Sequence, residues 1–246
     1  IYVDAASVEG DAQLGFTFDG TPVTRSFGKM GKSLKNSVTP DDMYAAFGAD
    51  TLRLYEMSMA PITQDRPWET RSVVGSQRLL QRVWRNIVDE QTGELAVSDD
   101  APSEELLRVL HKTIDGVTAD MDNLRYNTAI AKLTELNNEV TKAEGPTPRV
   151  VADAMVRMLS PLVPHMAEEL WSKLGGAGSV VWAHCPAADA SYLVDDQVEL
   201  PVQVKGKVRG RVRVAPDADE SIALAAATAD ENVASHIAGA EIRKVI

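Results

Sequence analysis

Val73-Val74-Gly75-Ser76-Gln77-Arg78-Leu79-Leu80-Gln81-Arg82-Val83-Trp84-Arg85-Asn86-Ile87 lies within residues 68–91, where apolar positions recur at three-and-four spacing. Val73, Gln77, Leu80, Trp84 and Ile87 fall on one stripe of a helix, so that face is read as buried. A neighbouring stripe carries Arg71, Arg78, Arg82 and Arg85, which suits either a solvated face or a surface for phosphates. The helical period continues downstream. Residues 103–121 and 126–143 read as two further helices, joined by the turn-prone Asp122-Asn123-Leu124. A fourth segment follows Gly145-Pro146-Thr147-Pro148 and puts Met155, Leu159, Leu162, Met166, Leu170 and Leu174 on one face. Pro161 and Pro164 bend or break it, because proline removes an amide donor and clashes with the preceding turn. Four antiparallel segments with short connections predict a helical bundle and a mainly α fold.

Upstream, Thr39-Pro40-Asp41-Asp42 predicts a helix start, with Thr39 as cap, Pro40 at the first position and acids at the positive end of the dipole. Gly48 ends that helix, and Ala49 to Met59 begins another. Before it, Lys29-Met30-Gly31-Lys32-Ser33 places two lysines three apart in a Gly-flanked loop, an arrangement suited to holding a departing polyphosphate. A P-loop is excluded, since the position five before Gly31 is Ser26 and the preceding Thr21-Pro22-Val23-Thr24-Arg25-Ser26 is polar and interrupted by Pro22. Residues 1–27 alternate short apolar pairs with Gly, Asp and Thr, which predicts a hairpin or two short strands supporting the loop at 28–37.

Beyond the bundle, Gly175-Gly176-Ala177-Gly178-Ser179 closes the helical text, and residues 183–197 show no periodicity and read as a linker. Val198–Val204 and Val208–Val214 alternate around Lys205-Gly206-Lys207, a hairpin signal. Helices are expected over Ala218–Ala229 and Glu231–Ile237, and Ile242–Ile246 reads as the start of a strand, so a small α+β domain is read as cut short. The hairpin carries Lys205, Lys207, Arg209, Arg211 and Arg213, with no acid between Leu200 and Pro216. Strand alternation puts Arg209, Arg211 and Arg213 on one face, opposite Val208, Val212 and Val214.

With 246 residues the chain has room for two compact units or one large one. Its formal charge of −11 argues against a free-standing, non-specific nucleic-acid binder, so any RNA contact must use local basic patches. Cys185 is the single cysteine, which rules out an internal disulfide and a thiolate zinc cluster and fits a reducing cytoplasm. No stretch reaches the ~18 apolar residues of a membrane span. Ile1-Tyr2-Val3-Asp4 is neither a signal sequence nor an initiator start, and it reads as a chain excised from something longer. His165, after Pro164 at a helix start, is assigned a local hydrogen bond. His184-Cys185 has no second ligand pair, so no metal site is expected.

Taken in order, Lys29-Met30-Gly31-Lys32-Ser33, Val38 to Asp42 and Phe47 to Leu54 resemble the second signature of class I aminoacyl-tRNA synthetases, usually written KMSKS, and the helix leading from it. Arg85 in RVWRNIVDE, Tyr126-Asn127-Thr128-Ala129-Ile130 and Pro161-Leu162-Val163-Pro164-His165-Met166-Ala167-Glu168-Glu169-Leu170-Trp171 resemble bundle phrases shared by the leucyl, isoleucyl and valyl enzymes. The leucyl group is favoured by the path from Arg53-Leu54 through Ala60-Pro61 to Trp68-Glu69, and by Pro201 to Gly210. The chain is thus similar to the C-terminal third of bacterial leucyl-tRNA synthetases. Gly31 stands where the family usually has serine, which would loosen the loop.

The resemblance implies a division into 1–67 (end of the catalytic domain), 68–178 (anticodon-binding-type helical bundle), 179–197 (linker) and 198–246 (small RNA-contacting α+β domain). It implies that Lys29 and Lys32 act on the phosphates of ATP, with Met30, Gly31 and Ser33 shaping the loop. Leucine, ATP with its Mg2+ and tRNA(Leu) are then the implied ligands of the whole enzyme. Arg71, Arg78, Arg82, Arg85, Lys205, Lys207, Arg209, Arg211 and Arg213 are the implied tRNA contacts. The chain alone should be inactive and carry no bound cofactor. The alternatives are an isoleucyl or valyl enzyme, a stand-alone RNA-binding module, and a helical protein-interaction scaffold.

Overall fold

A computed structural model describes residues 2–3, 7–143, 145–194 and 198–237. The chain forms two compact units, Ile1–Ala188 and Asp189–Ile246, which divide inside the segment read as a linker.

The first unit begins with a three-stranded antiparallel meander, β1 (Glu9–Asp11), β2 (Gly15–Phe18) and β3 (Thr21–Val23), in the order β1-β2-β3. One strand more than expected forms. Pro22 does not interrupt β3, because β3 is an edge strand whose outer side needs no amide donor. After the loop come α1 (Pro40–Phe47) and α2 (Ala49–Ser58). The Thr39 hydroxyl accepts the Asp42 amide, and Pro40 opens α1, as expected. Gly48 at φ 84° turns the chain directly from one helix into the next.

The bundle consists of α3 (Val73–Ile87), α4 (Glu104–Asp122), α5 (Tyr126–Lys142), α6 (Arg149–Leu159) and α7 (Pro164–Lys173). The fourth predicted segment is therefore two helices, broken where Pro164 cannot donate to the preceding turn. Trp68 to Ser72 does not join α3, since residues 70–72 form a 3-10 turn instead. The buried stripe of α3 is Val73, Ser76, Leu79, Leu80, Val83 and Ile87, so Gln77 and Trp84 lie at its margin and Leu79 and Val83 take their place. Leu79, Leu80, Val83 and Ile87 join Leu110, Ile114, Leu133, Leu136, Met155, Leu162 and Leu170 in one continuous core. A short parallel pair, β4 (Val97–Ser98) with β5 (Thr147–Pro148), ties the α3–α4 connection to the start of α6.

Two polar arrangements lock the unit. Asp120 is 3% exposed and accepts from Arg125 Nε at 2.8 Å and from Lys132 Nζ. Asp50, near the start of α2, accepts the His165 amide at 3.4 Å, the Met166 amide at 2.7 Å and His165 Nδ1 at 2.9 Å, so it caps α7. One turn along α2, Arg53 donates to the Pro161 and Leu162 carbonyls at 2.9 and 3.2 Å. The α6–α7 break leaves those carbonyls and amides without helical partners, and α2 supplies both kinds. His165 is thus engaged by a residue 115 positions away and not by a local bond.

The second unit pairs β6 (Val198–Val204) with β7 (Lys207–Val214) through a Lys205-Gly206 turn in which both residues have positive φ, 53° and 75°. Helices α8 (Glu220–Ala229) and α9 (Glu231–Ile237) pack on this hairpin. The strand expected at Ile242–Ile246 lies outside the described residues.

Candidate functional site

Between β3 and α1 the chain leaves the globule as an exposed loop. Gly31 is extended, at φ −176° and ψ 152°, and Lys32–Leu34 then forms a single 3-10 turn closed by Lys35 in the left-handed region at φ 51°. The Asn36 amide oxygen accepts the Gly31 N–H at 2.8 Å. Leu34 folds against Gly28, where an added Cβ would sit 3.3 Å from Leu34 Cδ1. Lys29, Lys32 and Ser33 are exposed, Met30 is 42% exposed, and neither lysine has an ion-pair partner among the described residues. Gly31 does not need to be glycine, since its backbone suits any residue and an added Cβ would meet nothing within 4 Å. Glycine there removes a hydroxyl without relieving a clash.

The arginines of the α3 region separate into different environments. Arg71 lies exposed on the 3-10 turn before α3, so it does not continue the helical stripe. Arg78 is exposed with no side-chain partner among the described residues, and Arg85 donates to the Gln81 carbonyl at 3.3 Å. Arg82 is half-buried and donates to Asn138 Oδ1 at 2.9 Å, which makes it a strut between α3 and α5. Beside it, Asn86 donates to Asn137 and Thr141, both at 2.9 Å.

In the terminal hairpin the basic residues do not all share a face. Val202 pairs with Gly210 and Gln203 with Val208, so Arg209 is the extra residue of a β-bulge. The bulge reverses the alternation on its turn side: Val208 points outward and is 54% exposed, whereas Arg209 is half-buried, its Nε without a partner among the described residues. Arg211 and Arg213 do share the outer face, and Val212 and Val214 are buried behind them. Glu199, one residue beyond the acid-free stretch, pairs with Arg211 at 3.0 Å and approaches Arg213 at 3.9 Å. Lys205 and Lys207 are exposed. On the inner face Gly210 is required, because an added Cβ would lie 2.6 Å from Val233 Cγ2 and 2.9 Å from Asp230 Oδ1.

His184 and Cys185 bring no further ligands together, and no group of three His, Cys, Asp or Glu side chains among the described residues could hold a metal ion. No described helix is long and apolar enough to cross a membrane.

A family model described as the anticodon-binding domain of tRNA ligase matches residues 103–224. The leucine–tRNA ligase of Streptomyces avermitilis is 56% identical over all 246 residues, and that of Saccharopolyspora erythraea is 57% identical over 248 aligned positions. The chain belongs to the leucyl-tRNA synthetase family. It covers 26% of each of those two relatives, about a quarter of their length and not the third expected. The Mycobacterium avium leucine–tRNA ligase is 56% identical over 91% of the chain. Among solved structures, the ternary complex of Agrobacterium radiobacter K84 agnB2 LeuRS with tRNA and LeuAMS superposes with a TM-score of 0.67 at 25% identity, covering 88% of this chain and 30% of that one. The resemblance to leucyl-tRNA synthetases was legible as text, but three positioning features were not: the Asn36 bond, the Asp50–His165 pair and the bulge at Arg209. Of these, only the bulge had a sequence signal, the Arg209-Gly210 step that interrupts the valine side of the strand.

Proposed function

We propose that the chain is the part of a leucyl-tRNA synthetase that supplies the pyrophosphate-gripping loop and holds tRNA(Leu), and that it catalyses nothing alone. The observation that carries this reading is the exposed Lys29–Lys32 couple, without ion-pair partners among the described residues, in a chain alignable along its whole length with leucine–tRNA ligases. In the complete enzyme the leucine carboxylate attacks the α-phosphorus of ATP. The bond to the bridging oxygen breaks, pyrophosphate leaves, and a tRNA ribose hydroxyl then takes the leucyl group from the adenylate. Negative charge accumulates on the departing phosphates, and ammonium groups already in place there stabilise the transition state more than bound ATP. Lys32 is assigned to the phosphates first and Lys29 second, with Met30, Gly31 and Ser33 forming the loop. Magnesium arrives with the nucleotide as part of the substrate.

Residues 1–67 are read as the end of the catalytic domain, 68–178 as the bundle, 179–197 as the linker and 198–246 as an RNA-contacting domain, working in the cytoplasm. Among the RNA contacts, Arg78, Arg85, Lys205, Lys207, Arg211 and Arg213 are supported by exposure. Arg71 is also exposed but off the helix, while Arg82 and Arg209 are committed to packing. Lys32→Ala in the complete enzyme is the test. Leucine-dependent pyrophosphate exchange should fall by about two orders of magnitude while leucine affinity holds. An unchanged exchange rate removes the loop from the reaction.

A further inference from the structure

We infer that Asn36 is a positioning residue for the reaction, acting through Lys32 by fastening the backbone that joins it to Lys29. The inference rests on the proposed role of the loop and adds to it a residue outside the five-residue signature. The chain runs extended through Gly31, reverses in the 3-10 turn where Gly31 and Lys32 carbonyls accept the Leu34 and Lys35 amides at 3.1 and 3.2 Å, and comes back because Lys35 is left-handed. That return brings the Asn36 carboxamide against the outgoing strand. Its oxygen accepts Gly31 N–H at 2.8 Å, and its nitrogen lies 3.5 Å from the Lys29 carbonyl. One side chain therefore touches the backbone at Lys29 and at Gly31, the residue just before Lys32.

Few other contacts could set that spacing. Gly31 offers no side chain for packing, its Cβ position is open space, and both lysine side chains point into solvent. The Leu34–Gly28 contact closes the base of the loop but not the Lys29–Lys32 segment. Only a carboxamide at this site accepts from one strand and donates to the other, so alanine opens the loop without disturbing the core, from which Asn36 is remote and exposed.

The test is a double-mutant cycle in the full-length enzyme carrying this chain, read as the kcat of leucine-dependent pyrophosphate exchange, with KM for leucine and the thermal midpoint measured alongside. Asn36→Ala should lower kcat between about 10- and 100-fold, leaving KM for leucine and the midpoint unchanged. In a Lys32→Ala background the same substitution should cost less than about twofold, because the group it positions is already gone. A full kcat in Asn36→Ala with a crippled Lys32→Ala overturns the inference and leaves the loop's role intact. An equal loss in both backgrounds also overturns it, since Asn36 then acts independently of Lys32. Full activity in Lys32→Ala overturns the underlying reading itself.

Discussion

Asp120 is a carboxylate with almost no exposure to water, held by two cations that keep theirs: its side chain is 5% exposed, against 54% for Arg125 and 37% for Lys132. Burial alone pushes its pKa up, but hydrogen bonds from Lys132, Thr128 and Arg125 outweigh that and hold it below the usual carboxylate value of 3.8. A folded-state pKa below the unfolded one means that the stabilisation is present above pH ~4 and is lost as pH falls through the folded value. Asp120→Asn should therefore cost about 2 kcal/mol at pH 7, discounted for the wet cations, and should flatten the loss of stability below pH 4. Urea unfolding at pH 7 and pH 3 reads both effects, and equal losses at the two pH values would deny Asp120 this role. This residue was not identifiable from sequence. Asp120, Arg125 and Lys132 look like ordinary surface charges in a helical period, because the burial comes from neighbouring helices that pattern reading does not see. The same applies to Asp50, whose partners at His165 and Met166 lie more than a hundred positions away.

Elements were legible wherever the physics is local. Caps, proline breaks and glycine turns predicted α1, α2, a bend or break at Pro161 and Pro164, and the hairpin around Lys205-Gly206-Lys207. What failed was phase. In α3 the expected Val73, Leu80 and Ile87 are buried, but Gln77 and Trp84 are only half-buried, and Ser76, Leu79 and Val83 complete the stripe. In β7 the bulge at Arg209 inverts the faces on one side of the strand, and its one trace in the sequence is the glycine that interrupts the valines. Gly210 marks the reason. The inner face there accommodates the start of α9, with Asp230 accepting the Val233 amide at 2.9 Å, so the strand can carry no side chain at that point. Gly210→Val should displace α9 and destabilise the second unit by about 2 kcal/mol, as overpacking does. Amide exchange should then accelerate in α9 and β7 and stay unchanged in the bundle, whereas uniform protection throughout would mean that the strand and helix yield without cost.

The whole chain carries −11, so the proposed role requires tRNA to be drawn to a few local sites against the field of the molecule. The structure sorts the candidate cations into those free to release counterions and those already occupied, and salt dependence distinguishes the two. Deleting one cation that meets a phosphate should reduce the slope of log K against log salt by about 0.7 to 0.9. Arg78→Ala, which removes an exposed guanidinium, should lower that slope without altering the melting of the bundle. Arg82→Ala, which removes the strut to Asn138, should lower bundle stability and leave the slope nearly unchanged. Glu199→Gln is the sharpest of the three, because it deletes no cation. It frees Arg211 and Arg213 from the carboxylate that pairs with them, so tRNA(Leu) binding by the full-length enzyme should tighten a few-fold and its salt slope should steepen. Filter binding between about 50 and 200 mM salt measures both quantities. If the slope does not move when Glu199 is neutralised, the outer face of β7 does not meet phosphate, and the basic strand is a solvated surface despite its charge.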